Sequence, residues 1–392
     1  MKQIIRLIIP FGLFIALSCH ERAKTQETGQ QVDPTAQELA DFEHRLTQNL
    51  ANKNTGSFSV AVFNKGEIIW SKAFGKADDQ KGLMADTSTV YRIGSISKTI
   101  TAYLMMLMVQ KGVIHLDDPV ARYLPEIRTL KQYGDDSSGK ITFRQLADHT
   151  SGLAREPNFP TALFGPVETW EAQVLNSIPA TTLTPPHGKT FSYSNIGYAI
   201  LGLAISRAAH RPFISLVEAL IFRPHGMKNS FYSIPRDLRD RIATGYSWNA
   251  ILRTYEGGQS EKEFAGRGYR VPNGGVFTTA DDLARFVISL TADADPLAKN
   301  YRDSMQTVQS SASKVQGYGF GLDIKKGANG IKMVGHGGLV AGFSSYMVFN
   351  PEYKTGVVLL RNCDDASLVL EIQGNILLNN LVRADKEAHG KN

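Results

Sequence analysis

Ser95 and Lys98 stand three residues apart in Gly94-Ser95-Ile96-Ser97-Lys98, a spacing that puts a hydroxyl and an amine on one face of a helix. A neutral lysine so placed can take the serine proton and free the oxygen to attack a carbonyl. Burial and the positive end of a helix dipole both favour the neutral amine. Gly94 leaves room for a sharp entry, and a backbone N–H at the helix start supplies one donor to the oxyanion formed after attack. Spacing alone does not select this pair, because Ser137–Lys140 and Ser311–Lys314 repeat it. Those two sit in the polar runs 134–139 and 309–314. Only Ser95 opens onto an apolar helix, Ile100–Val109, able to bury its lysine. The plainer alternative is an N-cap serine followed by an exposed lysine.

Two further segments carry groups that such a nucleophile needs. Tyr193-Ser194-Asn195 is the single Y-x-N among the 14 tyrosines and runs into the apolar helix Ile196–Ile205. Tyr193 can act beside Lys98 as base and then as acid to the leaving group, while Asn195 can hold a substrate amide or the lysine amine. A buried tyrosine beside an N-cap is the alternative. His336-Gly337-Gly338 follows the strand Ile331–Val334, and its glycines allow a substrate to approach the strand edge. A hairpin or bulge with an incidental histidine is the alternative there.

Other combinations fit less well. Lys354-Thr355-Gly356 follows Asn350, Pro351 and Glu352 and leads into Val357–Leu360, so it reads as a surface connection between strands. His149-Thr150-Ser151-Gly152 offers a Ser/His pair but lacks the G-x-S-x-G elbow, which occurs nowhere in the chain, and reads as a buried turn. No C-x-x-C, H-E-x-x-H or paired His/Cys spacing is present, so neither a metal nor another cofactor is expected.

The elements that must position these groups come from both ends of the chain. Leu39, Phe42, Leu46 and Leu50 mark one apolar face of a helix, and Phe58–Phe63 and Ile68–Ala73 form a hairpin around Asn64, Lys65 and Gly66. Strand patterns resume at Tyr318–Ile324, Ile331–Val334, Gly342–Asn350 and Gly356–Arg361, before a closing helix Leu368–Leu381. Between them lie helical stretches and loops with Pro160, Pro166, Pro179, Pro185 and Pro186. The expected architecture is α/β in the α+β sense, an antiparallel sheet flanked by helices with a mainly helical insert. Its α/β layer takes residues 36–112 and 273–382, its insert takes 113–272, and a polar tail takes 383–392.

Together these segments resemble the serine β-lactamase and penicillin-binding-protein superfamily, in its class C-like branch of esterases, D-amino-acid peptidases and LACTB-like proteases. The resemblance covers about residues 36–382. It rests on the three boxes above and on Tyr91–Thr99 (YRIGSISKT), Leu116–Pro125 (LDDPVARYLP), His149–Leu153 (HTSGL), Tyr193–Gly197 (YSNIG) and Gly274–Phe286 (GGVFTTADDLARF), in that order. The likeness implies an acyl-enzyme at Ser95, proton transfer shared by Lys98 and Tyr193, and substrate orientation by Asn195, His336, Gly337 and Gly338. It also implies an oxyanion hole from the N–H groups of Ser95 and Leu339. His336 and Gly337 stand where β-lactamases carry a lysine and a Thr or Ser, which removes a permanent cation and a hydroxyl. An ester, amide or D-amino-acid peptide is therefore favoured over a β-lactam. A D-alanyl-D-alanine carboxypeptidase, a weak class C-like β-lactamase and a non-catalytic penicillin- or peptidoglycan-binding protein are the alternatives.

Composition sets the frame. With 392 residues, 42% hydrophobic and 20% charged, the chain is globular in kind, and its net charge of +6 is spread among acids without a basic stripe, so nucleic acid is not an expected partner. A small molecule or peptide is the expected partner, and no protein partner is predicted. Lys2 and Arg6 precede the apolar run Leu7–Leu17, which reads as an export signal over 1–18. That run falls short of the roughly 20 residues that span a bilayer. Cys19 follows as the candidate lipidation site, with a polar linker over 19–35; cleavage near Cys19 without a lipid is the alternative. The expected location is the cell envelope or periplasm. Cys363 is the only other cysteine.

Overall fold

The computed structural model describes residues 34–53, 55–133, 140–184, 188–258, 266–327, 330–365 and 367–389. The export signal, Cys19, Ser137, Pro185 and Pro186 lie outside them. β1 (Ser57–Asn64), β2 (Glu67–Asp78), β3 (Leu83–Met84) and β4 (Tyr91–Arg92) come first. β5 (Tyr246–Asn249), β6 (Thr254–Gly257) and β7 (Phe277–Thr278) follow much later. β8 (Ser310–Ser311), β9 (Gln316–Tyr318), β10 (Asp323–Lys326), β11 (Lys332–Val340), β12 (Phe343–Asn350) and β13 (Thr355–Arg361) complete the set.

Among the described residues, one sheet of nine strands runs in the order β3-β2-β1-β13-β12-β11-β10-β9-β8. Its neighbours are antiparallel. The first and last parts of the body meet where β1 pairs with β13, Phe58 opposite Arg361 through Phe63 opposite Gly356. Alternation along each strand then separates two cores. Phe58, Val60, Val62, Val357 and Leu359 face one cluster with Phe42, Leu46, Leu377 and Leu381. Ala61, Phe63, Val358 and Leu360 face the larger one, which also holds the helix Ser97–Gln110 and much of the 113–272 stretch.

The fold is the expected mixed α/β one, with helices covering an antiparallel sheet. Two details differ from the sequence reading. The 113–272 stretch carries the β5–β6 hairpin, held by a Trp248–Tyr255 ring contact at 5.0 Å across its strands; its exposed alternate side chains hide the strand period. The closing helix also runs over Ser367–His389, through most of the expected tail. Its polar end is supported by Arg383–Glu387 at 4.0 Å, four residues apart, and by Lys65–Asp385 at 3.3 Å. Among the described residues, no helix is long and apolar enough to cross a membrane.

Candidate active site

Ser95 lies in a 3-10 turn, Gly94–Ile96, that leads directly into the helix Ser97–Gln110. Gly94 makes the turn possible. Its φ is +48°, and a Cβ there would sit 2.9 Å from the Leu339 nitrogen and 3.0 Å from the Leu339 oxygen. The turn is thus pressed against the C-terminal end of β11. A second close approach fixes the pair: a Cβ on Gly338 would lie 2.0 Å from the Ile93 oxygen, and Ser345 Oγ donates to that same oxygen at 2.9 Å. Ser95 and Leu339 are thereby brought side by side. Beyond Gly335, β11 has no partner in β10, so this edge of 336–340 faces the nucleophile turn.

Lys98 is 0% exposed. Its Nζ lies 3.1 Å from Ser95 Oγ, 2.7 Å from Asn195 Oδ1 and 3.1 Å from the Asn273 carbonyl oxygen. Burial, first of all, drives its pKa well below the ordinary lysine value; Glu156 opposes this, and Arg155, Arg270 and Arg267 reinforce it. A neutral amine has two hydrogens and one lone pair. Asn195 Oδ1 and the Asn273 carbonyl can only accept, so they take the hydrogens and leave the lone pair toward the Ser95 hydroxyl.

The orientation of the Asn195 amide is itself set by a chain of contacts. Its Nδ2 donates to Glu156 Oε1 at 2.6 Å, and Glu156 pairs with Arg270 at 3.0 Å. Asn273 Nδ2 donates to the Asn195 carbonyl oxygen at 2.7 Å, tying the two asparagines together. Ser194, the N-cap of the helix Asn195–Ala208, accepts from the Gly197 N–H at 2.9 Å. Tyr193 therefore stands just outside a rigid helix start, its ring 4.8 Å from Lys98 Nζ. Burial raises its hydroxyl pKa, and a hydrogen bond with Ser95 pulls the other way, which leaves a neutral phenol in contact with the Ser95 hydroxyl.

His336, 3% exposed, has both ring nitrogens engaged. Nδ1 faces the Gly337 carbonyl oxygen at 2.6 Å and therefore carries the hydrogen, while Nε2 lies 3.2 Å from Tyr318 Oη and accepts from it. Burial is the leading cause of a lowered pKa, with Asp323 opposing it. The ring is a neutral wall. Gly337 differs sharply from Gly338: a Cβ on it would meet only Tyr346 Cδ2, at 3.8 Å.

The structure brings Ser95, Lys98, Tyr193, Asn195, His336, Gly337, Gly338 and Leu339 to one place, and Ser95, Tyr193, His336, Gly337, Gly338 and Leu339 line one cleft of about 480 Å³. The competing motifs lie elsewhere. Ser311 and Lys314 are exposed. Lys354 sits at φ +49° in the turn between β12 and β13, its Nζ 2.7 Å from Asp293. Ser151 is buried. His149, at φ +63°, is buried under the Tyr193 ring at 4.3 Å, and its Nδ1 accepts the Ser194 N–H at 3.1 Å. It positions the Tyr193 segment. Asn273, Glu156, Arg155 and Arg270 are the site residues that motif reading missed. Glu156 follows HTSGL by three positions and Asn273 precedes the GGVFTT box, which is the signal available for them.

The helix-covered antiparallel sheet thus holds a serine and a buried lysine in hydrogen-bond contact. The chain belongs to the Beta-lactamase family, whose model matches residues 42–375. It is 27% identical over 364 residues to Beta-lactamase-like protein 2 of Dictyostelium discoideum, covering 90% of this chain and 64% of that protein's length. It is 27% identical over 399 residues to D-alanyl-D-alanine-carboxypeptidase/endopeptidase AmpH of Escherichia coli, covering 93% of this chain and 97% of the relative. The octameric penicillin-binding protein homologue from Pyrococcus abyssi superposes with a TM-score of 0.75 at 23% identity, over 88% of this chain and 77% of that one. EstCE1, a hydrolase with promiscuous acyltransferase activity, superposes with a TM-score of 0.74 at 20% identity, over 87% and 99%. These two structures share the fold.

Proposed function

We propose that the protein is a serine hydrolase that works through an acyl-enzyme on an ester, amide or D-amino-acid peptide in the cell envelope. The observation that carries this reading is the Lys98 amine, buried and held by two acceptors so that its lone pair meets Ser95. A substrate carbonyl oxygen enters between the Ser95 and Leu339 N–H groups. Ser95 Oγ attacks the carbonyl carbon, its proton passes to Lys98 Nζ, and the developing oxyanion is held by the two N–H groups. Tyr193, hydrogen-bonded to Ser95, relays the proton to the departing alcohol or amine as the carbonyl re-forms. Water then attacks the acyl group, gives up its proton along the same path, and the acid leaves with Ser95 Oγ reprotonated. Asn195 holds Lys98, and His336, Gly337 and Gly338 form the wall along which substrate lies.

The substrate range follows from what lines the cleft. The neutral, engaged His336 and the bare Gly337 provide neither a cation nor a hydroxyl at the β11 wall, so that wall gives a β-lactam carboxylate no anchor. The carboxypeptidase/endopeptidase name of one relative and the acyltransferase title of one structure support peptides and esters. The envelope location rests on the signal-like residues 1–18, with a lipid anchor at Cys19. The test is p-nitrophenyl acetate turnover by purified protein lacking residues 1–33. Wild type is expected to hydrolyse it with a pre-steady-state burst and Ser95→Ala to do neither; turnover that survives Ser95→Ala overturns the reading.

A further inference from the structure

The cleft carries uncompensated charge of opposite sign at two places. Near β10 it is lined by Asp323, Lys325 and Glu371. Lys325 Nζ lies 2.6 Å from Glu371 Oε1, so that pair answers itself. Asp323 receives a hydrogen bond from the neutral amide of Gln316, at 2.6 Å, and no ion pair among the described residues. Its strand register sets it opposite Gly335, next to His336, whose neutral ring cannot offset it. One negative charge is therefore in excess there.

Arg155 lines another part of the same wall, exposed, with its guanidinium carbon 5.0 Å from the Tyr193 ring centroid. Among the described residues its side chain makes no ion pair or hydrogen bond. The adjacent Glu156 does not neutralise it, because Arg270 and Asn195 already engage that carboxylate. Stacking on Tyr193 holds the guanidinium in place while its N–H fork stays open, the arrangement that suits a carboxylate.

We infer that the cleft selects a zwitterionic peptide-like substrate, with the substrate's ammonium group at Asp323 and its carboxylate at Arg155. The inference rests on the acyl-transfer reading of Ser95 and names two specificity-determining residues for it. Charge pairing at a solvent-open wall supports a preference of about twofold to fivefold at each end.

The experiment measures kcat/KM on tri-D-alanine, its N-acetyl form and its C-terminal amide, with p-nitrophenyl acetate as an uncharged control. Wild type is expected to prefer the free tripeptide over both blocked forms. Asp323→Asn is expected to reduce the free-to-acetylated ratio about twofold to fivefold and leave the free-to-amide ratio standing; Arg155→Gln is expected to do the reverse. Asp323→Glu and Arg155→Lys should restore part of each ratio. Equal rates on all three peptides, or ester turnover with no peptide cleavage, overturns the charge selection and keeps the serine hydrolase reading. Loss of ester and peptide turnover alike in well-folded wild type overturns both.

Discussion

Two adjacent glycines, Gly337 and Gly338, should respond in opposite ways to the same added methyl group. At Gly338 a Cβ would lie 2.0 Å from the Ile93 oxygen and 2.2 Å from Ser345 Oγ. Real Cβ contacts are essentially never shorter than 3.0 Å, so β11 must retreat from the nucleophile turn by roughly 1 Å, a displacement able to cost about 100-fold in rate. The retreat moves the Leu339 N–H away from the oxyanion, and losing one such donor alone costs about 100- to 1,000-fold in kcat. Overpacking of this kind destabilises by about 1–3 kcal/mol, which in a chain of this length lowers Tm by only roughly 2–6 °C. At Gly337 the new methyl group meets Tyr346 Cδ2 at 3.8 Å, an ordinary contact. Gly338→Ala should therefore lose about 100-fold or more in kcat on p-nitrophenyl acetate while still melting cooperatively, and Gly337→Ala should stay within about threefold of wild type. A Gly338→Ala protein as active as wild type, or a Gly337→Ala protein that fails equally, would refute the assigned approach of β11 to Ser95.

Further predictions concern the proton path and pH. Lys98→Met should abolish turnover on esters, a fall of about 100- to 10,000-fold, and Tyr193→Phe should lower kcat by a similar factor with less effect on KM; unchanged kcat in either removes that residue from proton transfer. Glu156→Ala should slow turnover about tenfold by freeing the Asn195 amide to rotate, whereas Glu156→Gln should keep part of the rate; full activity in both would dismiss the orienting role. His149 and His336 are held below the usual histidine pKa of 6.5 mainly by burial. As pH falls through 6.5 the unfolded chain binds protons that the folded chain does not, so stability drops toward acid, and Tm should decline from pH 7.5 to pH 5. Lys98 acts in the same sense at higher pH: its lowered value makes stability rise with pH between that value and 10.5. Lys98→Met should flatten the alkaline slope in a Tm-versus-pH series.

What the sequence revealed of this site was its local part. Ser95 and Lys98 share one turn, Tyr193 and Asn195 bracket one N-cap, and His336 to Leu339 lie on one strand, so each box was visible as a short pattern. The 113–272 region was legible as helical from its apolar runs, but β5 and β6 escaped because Trp248 and Thr254 point to solvent. The contacts that hold the Lys98 amine were harder to see. Asn273 reaches the amine with a backbone carbonyl, a group every residue possesses, from 175 positions away. Glu156 and Arg270 act through Asn195, and their pairing is a product of the fold rather than of any spacing. His149 looked like half of a Ser/His pair, yet its ring is enclosed by Tyr193, Tyr198 and Tyr318, and its role is to hold Ser194. His336 suggested a side chain free to orient substrate; in the folded chain its two nitrogens are engaged by Gly337 and Tyr318.

The central claim, covalent acyl transfer at Ser95 activated by Lys98, is tested most directly by trapping the adduct. Wild type, Ser95→Ala and Lys98→Met are each incubated with a fluorophosphonate and analysed by intact mass and peptide mapping. One adduct per wild-type chain on the peptide containing Ser95, none on Ser95→Ala and greatly slowed labelling of Lys98→Met is the predicted result. Stoichiometric labelling of Ser95→Ala, or an adduct mapped to Ser151 or Ser311, would contradict it.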